Sequence, residues 1–277
     1  MSAAMSAATN VATNAAMSAV DVSLVIPAYN EETRLGPTLA RCVRFLAASP
    51  WRWEIVVVHD GSTDGTVALC RRMAAEIPDL RVVETRPNRG KGHAVRAGVR
   101  AARGAAIVMY DADGATPIAE IAKLLAPLAR GEAAIAIGSR YVGGRGTDQP
   151  LWRRLWSRLA HFVMQRTLVP GIADAHCGCK AFTAAAGRDL FGRSTVDGWS
   201  FDLEILALAL RLGYAVAEIG VEWRDDRRSR VRPVRDLFGV IAEAIRIARR
   251  LDQFVVNEKP STTNVASMPF VDTSSTP

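Results

Sequence analysis

The strongest constraint in this chain is an alternation. Short runs rich in β-favouring residues, Val22 to Pro27, Glu54 to Val58, Leu80 to Glu84, Ala105 to Tyr110 and Ala133 to Gly138, are separated by helix-patterned segments. Those segments are Glu31 to Ala47, Asp64 to Glu76, Lys91 to Arg103 and Ile118 to Ala129. Repeated strand–helix units of this length predict an α/β fold, a mostly parallel sheet flanked by helices with right-handed crossovers. In open sheets of this kind ligands collect at the carboxyl ends of the strands. The residues that close these runs are therefore the first candidates for chemistry.

The run ending at Tyr110 leads into Asp111-Ala-Asp-Gly114. Two carboxylates at a strand end, beside a glycine that admits close backbone approach, suit a hard cation such as Mg²⁺ or Mn²⁺ bridging to a diphosphate. Taken alone, the four residues read better as an ordinary polar turn. The first run closes with Ile26-Pro-Ala-Tyr-Asn-Glu31. There Pro27 stops the hydrogen-bond ladder, Tyr29 offers a ring for stacking on a base, and Glu31 opens the next helix. The second closes with His59-Asp-Gly-Ser-Thr-Asp-Gly65. Asp60 can accept from a base N–H, while Ser62 or Asp64 caps the helix that follows.

Composition narrows the partners. The 277 residues suffice for one large domain, and a formal charge of +7 with a pI near 9.7 suits an anionic partner: nucleic acid, a membrane surface or a phosphorylated substrate. The basic residues cluster with Trp and Leu without a recognised nucleic-acid module, which argues against nucleic acid. Leu151, Leu155, Leu159 and Phe162 fall at helical spacing beside Trp152, Trp156 and several arginines; a second basic segment carries Val234, Leu237, Phe238, Ile241, Ile245 and Ala248. Interface helices lying in the headgroup plane are expected at about 151–168 and 233–252. Composition alone also fits ordinary core-facing helices. No apolar run reaches the ~18 to 20 residues a membrane span needs, so a peripheral association with an anionic membrane surface is expected. Low-complexity residues 1–20 and polar residues 257–277 are expected to be disordered, leaving a domain at 21–256. Four cysteines without zinc-ribbon spacing predict reduced thiols in the cytoplasm, and His176-Cys-Gly-Cys179 lacks a fourth ligand for a soft metal.

Taken together, Val25-Ile-Pro-Ala-Tyr-Asn-Glu-Glu32, Val58-His-Asp-Gly-Ser-Thr-Asp-Gly-Thr66, Asn88-Arg-Gly-Lys-Gly92, Asp111-Ala-Asp-Gly114 and Gly138-Ser-Arg-Tyr141 resemble family 2 inverting glycosyltransferases of the GT-A (Rossmann-like) fold. Cys177-Gly-Cys-Lys-Ala-Phe182, Trp199-Ser-Phe-Asp-Leu-Glu204 and Arg228-Ser-Arg230 resemble its polyprenyl-phosphate branch, the dolichyl-phosphate glucose synthases more than the mannose synthases. The resemblance implies that Pro27, Tyr29, Glu31 and Asp60 bind the nucleotide, with Asp60 reading the base. It implies that Asp111 and Asp113 hold Mg²⁺ or Mn²⁺, Asp113 being the firmer ligand. Arg140 is implied to meet the acceptor phosphate, with Arg153 and Ser157 as further contacts and Arg154 as the competitor to Arg153. Lys180 and Arg230 are implied as donor-phosphate ligands, Arg230 standing where the family usually has Lys. His59 departs from the usual Asp.

These roles imply metal-dependent, inverting transfer from a nucleotide-diphosphate sugar, UDP-glucose first, to polyprenyl phosphate at the inner face of the cell membrane. A phosphate monoester is largely dianionic at neutral pH, since its second pKa is about 6, so the acceptor needs no general base. Asp202 is a further catalytic candidate, and Glu204 is expected to pair with the cations Arg140, Arg153 and Lys180 rather than bind sugar hydroxyls. A small membrane-protein partner fits a chain without a span of its own. The alternatives are UDP-N-acetylhexosamine or GDP-mannose as donor, a soluble phosphorylated acceptor, and a non-catalytic nucleotide-sugar binding protein. A nucleotidyltransferase would need a Gly-rich loop after the first strand, and Ala28 to Glu32 contains no glycine.

Overall fold

The computed structural model describes residues 20–142, 168–224 and 243–251. Strand β1 (Val22–Ala28) is followed by α1 (Leu35–Ala47), β2 (Trp53–Asp60), α2 (Thr66–Glu76), β3 (Leu80–Thr85), α3 (Lys91–Ala101) and β4 (Ala106–Tyr110). A short 3-10 turn (Ile118–Glu120) leads into α4 (Ile121–Ala129) and β5 (Ile135–Ser139). Strand β6 (Cys179–Thr183), helices α5 (Ala184–Arg193) and α6 (Phe201–Arg211), and β7 (Val216–Gly220) complete the ordered series. A helical segment also covers residues 243–251.

The strands form one sheet in the order β3-β2-β1-β4-β6-β5-β7. All pairings are parallel except those of β6, which runs antiparallel to both β4 and β5. The mostly parallel sheet expected from the alternation is therefore present, with one reversed strand that the alternation does not predict. Among the described residues no helix is long and apolar enough to cross a membrane.

Both faces of the sheet are covered, which is why its central strands β1, β2 and β4 carry runs of consecutive buried apolar residues rather than an apolar–polar alternation. Val25, Val56, Val58, Ile107 and Met109 pack toward α3, α5, α6 and the 243–251 segment. Leu24, Ile26, Ile55, Val57 and Val108 pack toward α1, α2 and α4. The period of two along each strand divides these sets. Each fully buried Val, Leu or Ile contributes about 1.5 to 3 kcal/mol relative to exposure. Helix α3 rides especially close: a Cβ on Gly98 would overlap Val25 Cγ1 and lie 2.9 Å from Val58 Cγ2.

Helix α3 begins at Lys91 as the periodicity predicts, but α1 and α2 start later than predicted. Asn30 takes a left-handed φ of 55°, and Glu31 O accepts from Arg34 and Leu35 N–H, so α1 begins at Leu35 rather than Glu31. Asp64 Oδ1 accepts from Thr66 N–H at 3.0 Å, placing Asp64 ahead of α2. These short polar side chains satisfy backbone donors from outside the helix. The expected interface helix at 151–168 lies outside the described residues apart from residue 168, as does most of that at 233–252.

Candidate active site

Chain order supplies the geometry. From β1 the sheet grows outward through β2 and β3, then resumes on the other side of β1 with β4, so the topological switch point lies between β1 and β4. Tyr29 and Glu31 follow the carboxyl end of β1, and Asp111 and Asp113 follow that of β4. Because β6 is reversed, its beginning lies at the same edge, with Cys179 opposite Tyr110 and Lys180 opposite Met109. Arg140 follows β5 at that edge, and Trp223 lies beyond β7.

The loops after β1 and β2 are stitched together. Asn30 N–H donates to Ser62 Oγ at 3.1 Å, Glu31 N–H to Thr66 Oγ1 at 2.8 Å, and Thr63 N–H to Asn30 Oδ1 at 2.8 Å. Within this notch Pro27 is buried in its strand and Tyr29 is 42% exposed, leaving ring surface for stacking. The Glu31 carboxylate is engaged by Arg34, whose Nε donates to it at 2.6 Å.

Asp60 is buried and already well supplied with donors. Its Oδ2 accepts from Arg89 N–H at 3.1 Å and Gly90 N–H at 2.7 Å, and its Oδ1 from Thr85 Oγ1 at 2.7 Å. Asp60 thus anchors the Asn88-Arg-Gly-Lys loop in this structure, and any base N–H must share its oxygens. His59 faces the other side of the sheet, 3.5 Å from Glu84 Oε2 through Nε2, with Nδ1 buried and, among the described residues, without a hydrogen-bond partner.

The anchored loop delivers Lys91, whose Nζ lies 2.7 Å from Asp111 Oδ1 and 5.1 Å from the centre of the exposed Trp199 ring. Burial pushes the Lys91 ammonium down, but Asp111, Asp202 and Asp113 outweigh it and hold its pKa above the ordinary lysine value. Asp113 moves the opposite way from most acids. Burial first, then the Asp111 charge, push its carboxyl up, only partly offset by Ala115 N–H, Arg34 and Lys91. Two oxygen-donor acids in one place, one of them reluctant to ionise, are a donor set that a divalent cation fits. Among the described residues no group of three or more His, Cys, Asp or Glu is placed to hold a metal ion. Gly178 shapes this centre: a Cβ there would overlap Asp111 Oδ2 and lie 2.5 Å from its Cγ.

Lys180 and Asp202 meet beneath this edge. Lys180 Nζ donates to Cys177 O at 2.6 Å and lies 2.7 Å from Asp202 Oδ1, an ion contact not aligned as a hydrogen bond. Both side chains are almost fully buried. Contact of Lys180 with a phosphate therefore requires it to leave this pair. Glu204, also buried, accepts from Thr195 and Val196 N–H and pairs with Arg250, whereas Arg140 and Lys180, the described cations expected for it, pair with Asp174 and Asp202. Cys177 and Cys179 are buried, and burial pushes the Cys177 thiol up to about 11, which keeps it protonated. Arg153, Arg154, Ser157 and Arg230 lie outside the described residues.

Arg140 is held rather than loose. Its Nε and Nη2 donate to Asp174 Oδ2 and Oδ1 at 2.7 and 2.8 Å. Burial pushes the Asp174 carboxyl up, but its hydrogen bonds and charge contact with Arg140 outweigh this and set it below the usual range. Sequence reasoning missed Asp174, and it gave Lys91 no role of its own. Lys91 carried a signal, since it sits inside a motif between two glycines. Asp174 carried none, because its partner lies 34 residues away.

Fold and strand-end chemistry together define a Rossmann-like α/β domain with an acidic centre at its switch point. Residues 23–191 match the family described as Glycosyl transferase family 2; the chain belongs to that family and is a glycosyltransferase. It is 36% identical over 265 residues to a dolichyl-phosphate beta-glucosyltransferase of Drosophila melanogaster, covering 87% of this chain and 80% of the relative. It is 34% identical over 229 residues to the Homo sapiens protein of the same name, covering 76% and 70%. Among solved structures, glucosyl-3-phosphoglycerate synthase from Mycobacterium tuberculosis in complex with Mn²⁺, UDP-glucose and phosphoglyceric acid superposes with a TM-score of 0.62 at 23% identity, over 87% and 82% of the two chains. That likeness shows the GT-A fold.

Proposed function

We propose that this glycosyltransferase moves glucose from UDP-glucose to a polyprenyl phosphate, with inversion, while lying on the inner face of the cell membrane. The observation that carries the proposal is the meeting at one sheet edge of an acid pair beside the switch point and a fixed arginine after β5. The names of the relatives support glucose and a dolichyl-type acceptor.

In this proposal the notch formed by Pro27, Tyr29, Glu31 and Asp60 receives the nucleotide, with Tyr29 stacking on the base. Asp111 and Asp113 would hold Mg²⁺ or Mn²⁺, which supplies Lewis-acid neutralisation of the diphosphate leaving group when bound. Lys91 adds a positive charge beside the same acids. Arg140 orients the acceptor phosphate; because that phosphate is already largely dianionic, positioning can replace a general base. Arg153, Ser157 and Arg230 are proposed as further phosphate contacts. Lys180, released from Asp202, is a donor-side ligand, and Asp202 then faces the sugar.

The test is a matrix of nucleotide sugars (UDP-glucose, UDP-N-acetylglucosamine, GDP-mannose) against dolichyl phosphate and 3-phosphoglycerate, reading radiolabel in organic and aqueous phases. The expected result is organic-phase label from UDP-glucose and dolichyl phosphate. Label confined to the aqueous product would move the acceptor to a soluble phosphorylated metabolite.

A further inference from the structure

The charge that the proposed chemistry asks of Arg140 is held by a support absent from every motif in the sequence. Besides the two side-chain bonds to Asp174, the Arg140 backbone N–H donates to Asp174 Oδ2 at 2.9 Å. Asp174 is 2% exposed. Its own N–H, and that of Ala173, donate to the two oxygens of Glu218 on β7, each at 2.7 Å. The rings of Tyr141 and Trp223 lie 5.8 and 5.6 Å from Arg140 Cζ. Among the described residues nothing accepts from Nη1. One edge of the guanidinium is thus bonded to Asp174, aromatic rings lie near it, and its Nη1 end points away from that bonded edge.

A buried ion pair contributes little net stability, because desolvation offsets the Coulomb attraction. What it does supply is orientation: a planar fork held at one edge has a defined direction at the other. We infer that Asp174 and Glu218 are positioning residues for Arg140, Glu218 fixing the backbone at residues 173–174 and Asp174 fixing the guanidinium, so that Nη1 is presented to the acceptor phosphate. The inference rests on Arg140 being the acceptor-phosphate ligand. Neither residue touches the substrate; each acts through Arg140.

Kinetics with dolichyl phosphate in detergent micelles, UDP-glucose and Mn²⁺ test it, alongside calorimetric binding of UDP with Mn²⁺. Asp174→Asn leaves one acceptor oxygen in place and turns the other into an amide N–H₂ facing an arginine donor. It should raise the acceptor KM about tenfold, the effect of losing one charge-assisted hydrogen bond, with UDP affinity unchanged. Glu218→Gln, which keeps one of the two backbone acceptors, should raise it about threefold, somewhat less than a full hydrogen bond. The double variant Asp174→Asn/Arg140→Ala should be no worse than Arg140→Ala, because both changes remove the same interaction. If both single variants keep the parent acceptor KM while Arg140→Ala raises it, the positioning inference is overturned and the role of Arg140 stands. If Arg140→Ala itself leaves the acceptor KM unchanged, the role of Arg140 falls first. Equal loss of UDP affinity in Asp174→Asn and Glu218→Gln would assign them to the fold as a whole and overturn the inference as well.

Discussion

Asp113 keeps a carboxyl whose ionisation is opposed by burial and by Asp111 beside it. An acid whose folded pKa is raised lowers stability at any pH above that value, and the cost fades as pH falls through it toward the ordinary value. Asp113→Asn removes the charge and keeps an oxygen that can accept from Ala115 N–H. In metal-free buffer at pH 7 it should therefore melt about 1 to 2 °C above the parent, with the gap closing on acidification, while transfer activity is lost because an amide is a poor ligand for a hard cation. A lower melting temperature at pH 7, or full activity, would contradict this account of Asp113. Gly178 offers a second check on the same centre. Its φ is not left-handed, so alanine suits the backbone, but the added methyl must push Asp111 aside. Gly178→Ala should lose at least about tenfold in activity, as expected for ångström-scale misplacement of a reacting group, with little change in the unfolding midpoint. The acid pair could be read from the sequence because both members stand two residues apart at the end of an apolar run. Gly178 and Asp174 could not, since what each does is defined only by a side chain distant along the chain, Asp111 for one and Arg140 for the other.

At the scale of elements, the five strands and four helices of the alternating series are all present, because each apolar run is bounded by residues that stop it. Ends moved where polar side chains compete for backbone groups: Asn30 and Asp64 hold turns that periodicity counts as helix. Strand β6 escaped notice for a different reason. Cys179–Thr183 is five residues long, carries Lys180 as its second residue and follows a long connection from β5, so neither alternation nor length marks it. Its reversal is functionally consequential, since it brings Gly178 beside Asp111 and Lys180 to the edge where Asp202 meets it. The buried side chains of α6 tell a similar story. Phe201 to Ala209 are buried without exception, a pattern that reads as apolar all round rather than amphipathic, and its two acids are paired there, Asp202 with Lys180 and Glu204 with Arg250 and the Thr195 and Val196 N–H groups.

For the whole molecule, the parts connect through loops at one edge of the sheet. Asp60 anchors the loop carrying Lys91, and Asp197 after α5 bonds Arg89 and Arg96 on either side of it, at 2.7 Å in each case. Arg250 on the 243–251 segment pairs with Glu204, which holds the backbone leading to Asp197. The acid centre, the lysine loop and the last described helix are therefore joined by a continuous series of hydrogen bonds and ion pairs. The central claim for this edge is metal-assisted inversion onto a lipid phosphate. It is tested most directly by incubating the purified protein with radiolabelled UDP-glucose, dolichyl phosphate and Mn²⁺, with and without EDTA, and determining the anomeric configuration of the lipid product. The account predicts a β-linked glucosyl phosphate, since the donor is α-linked, with formation abolished by EDTA and restored by excess Mn²⁺. An α-linked product, or undiminished transfer in EDTA, would contradict it.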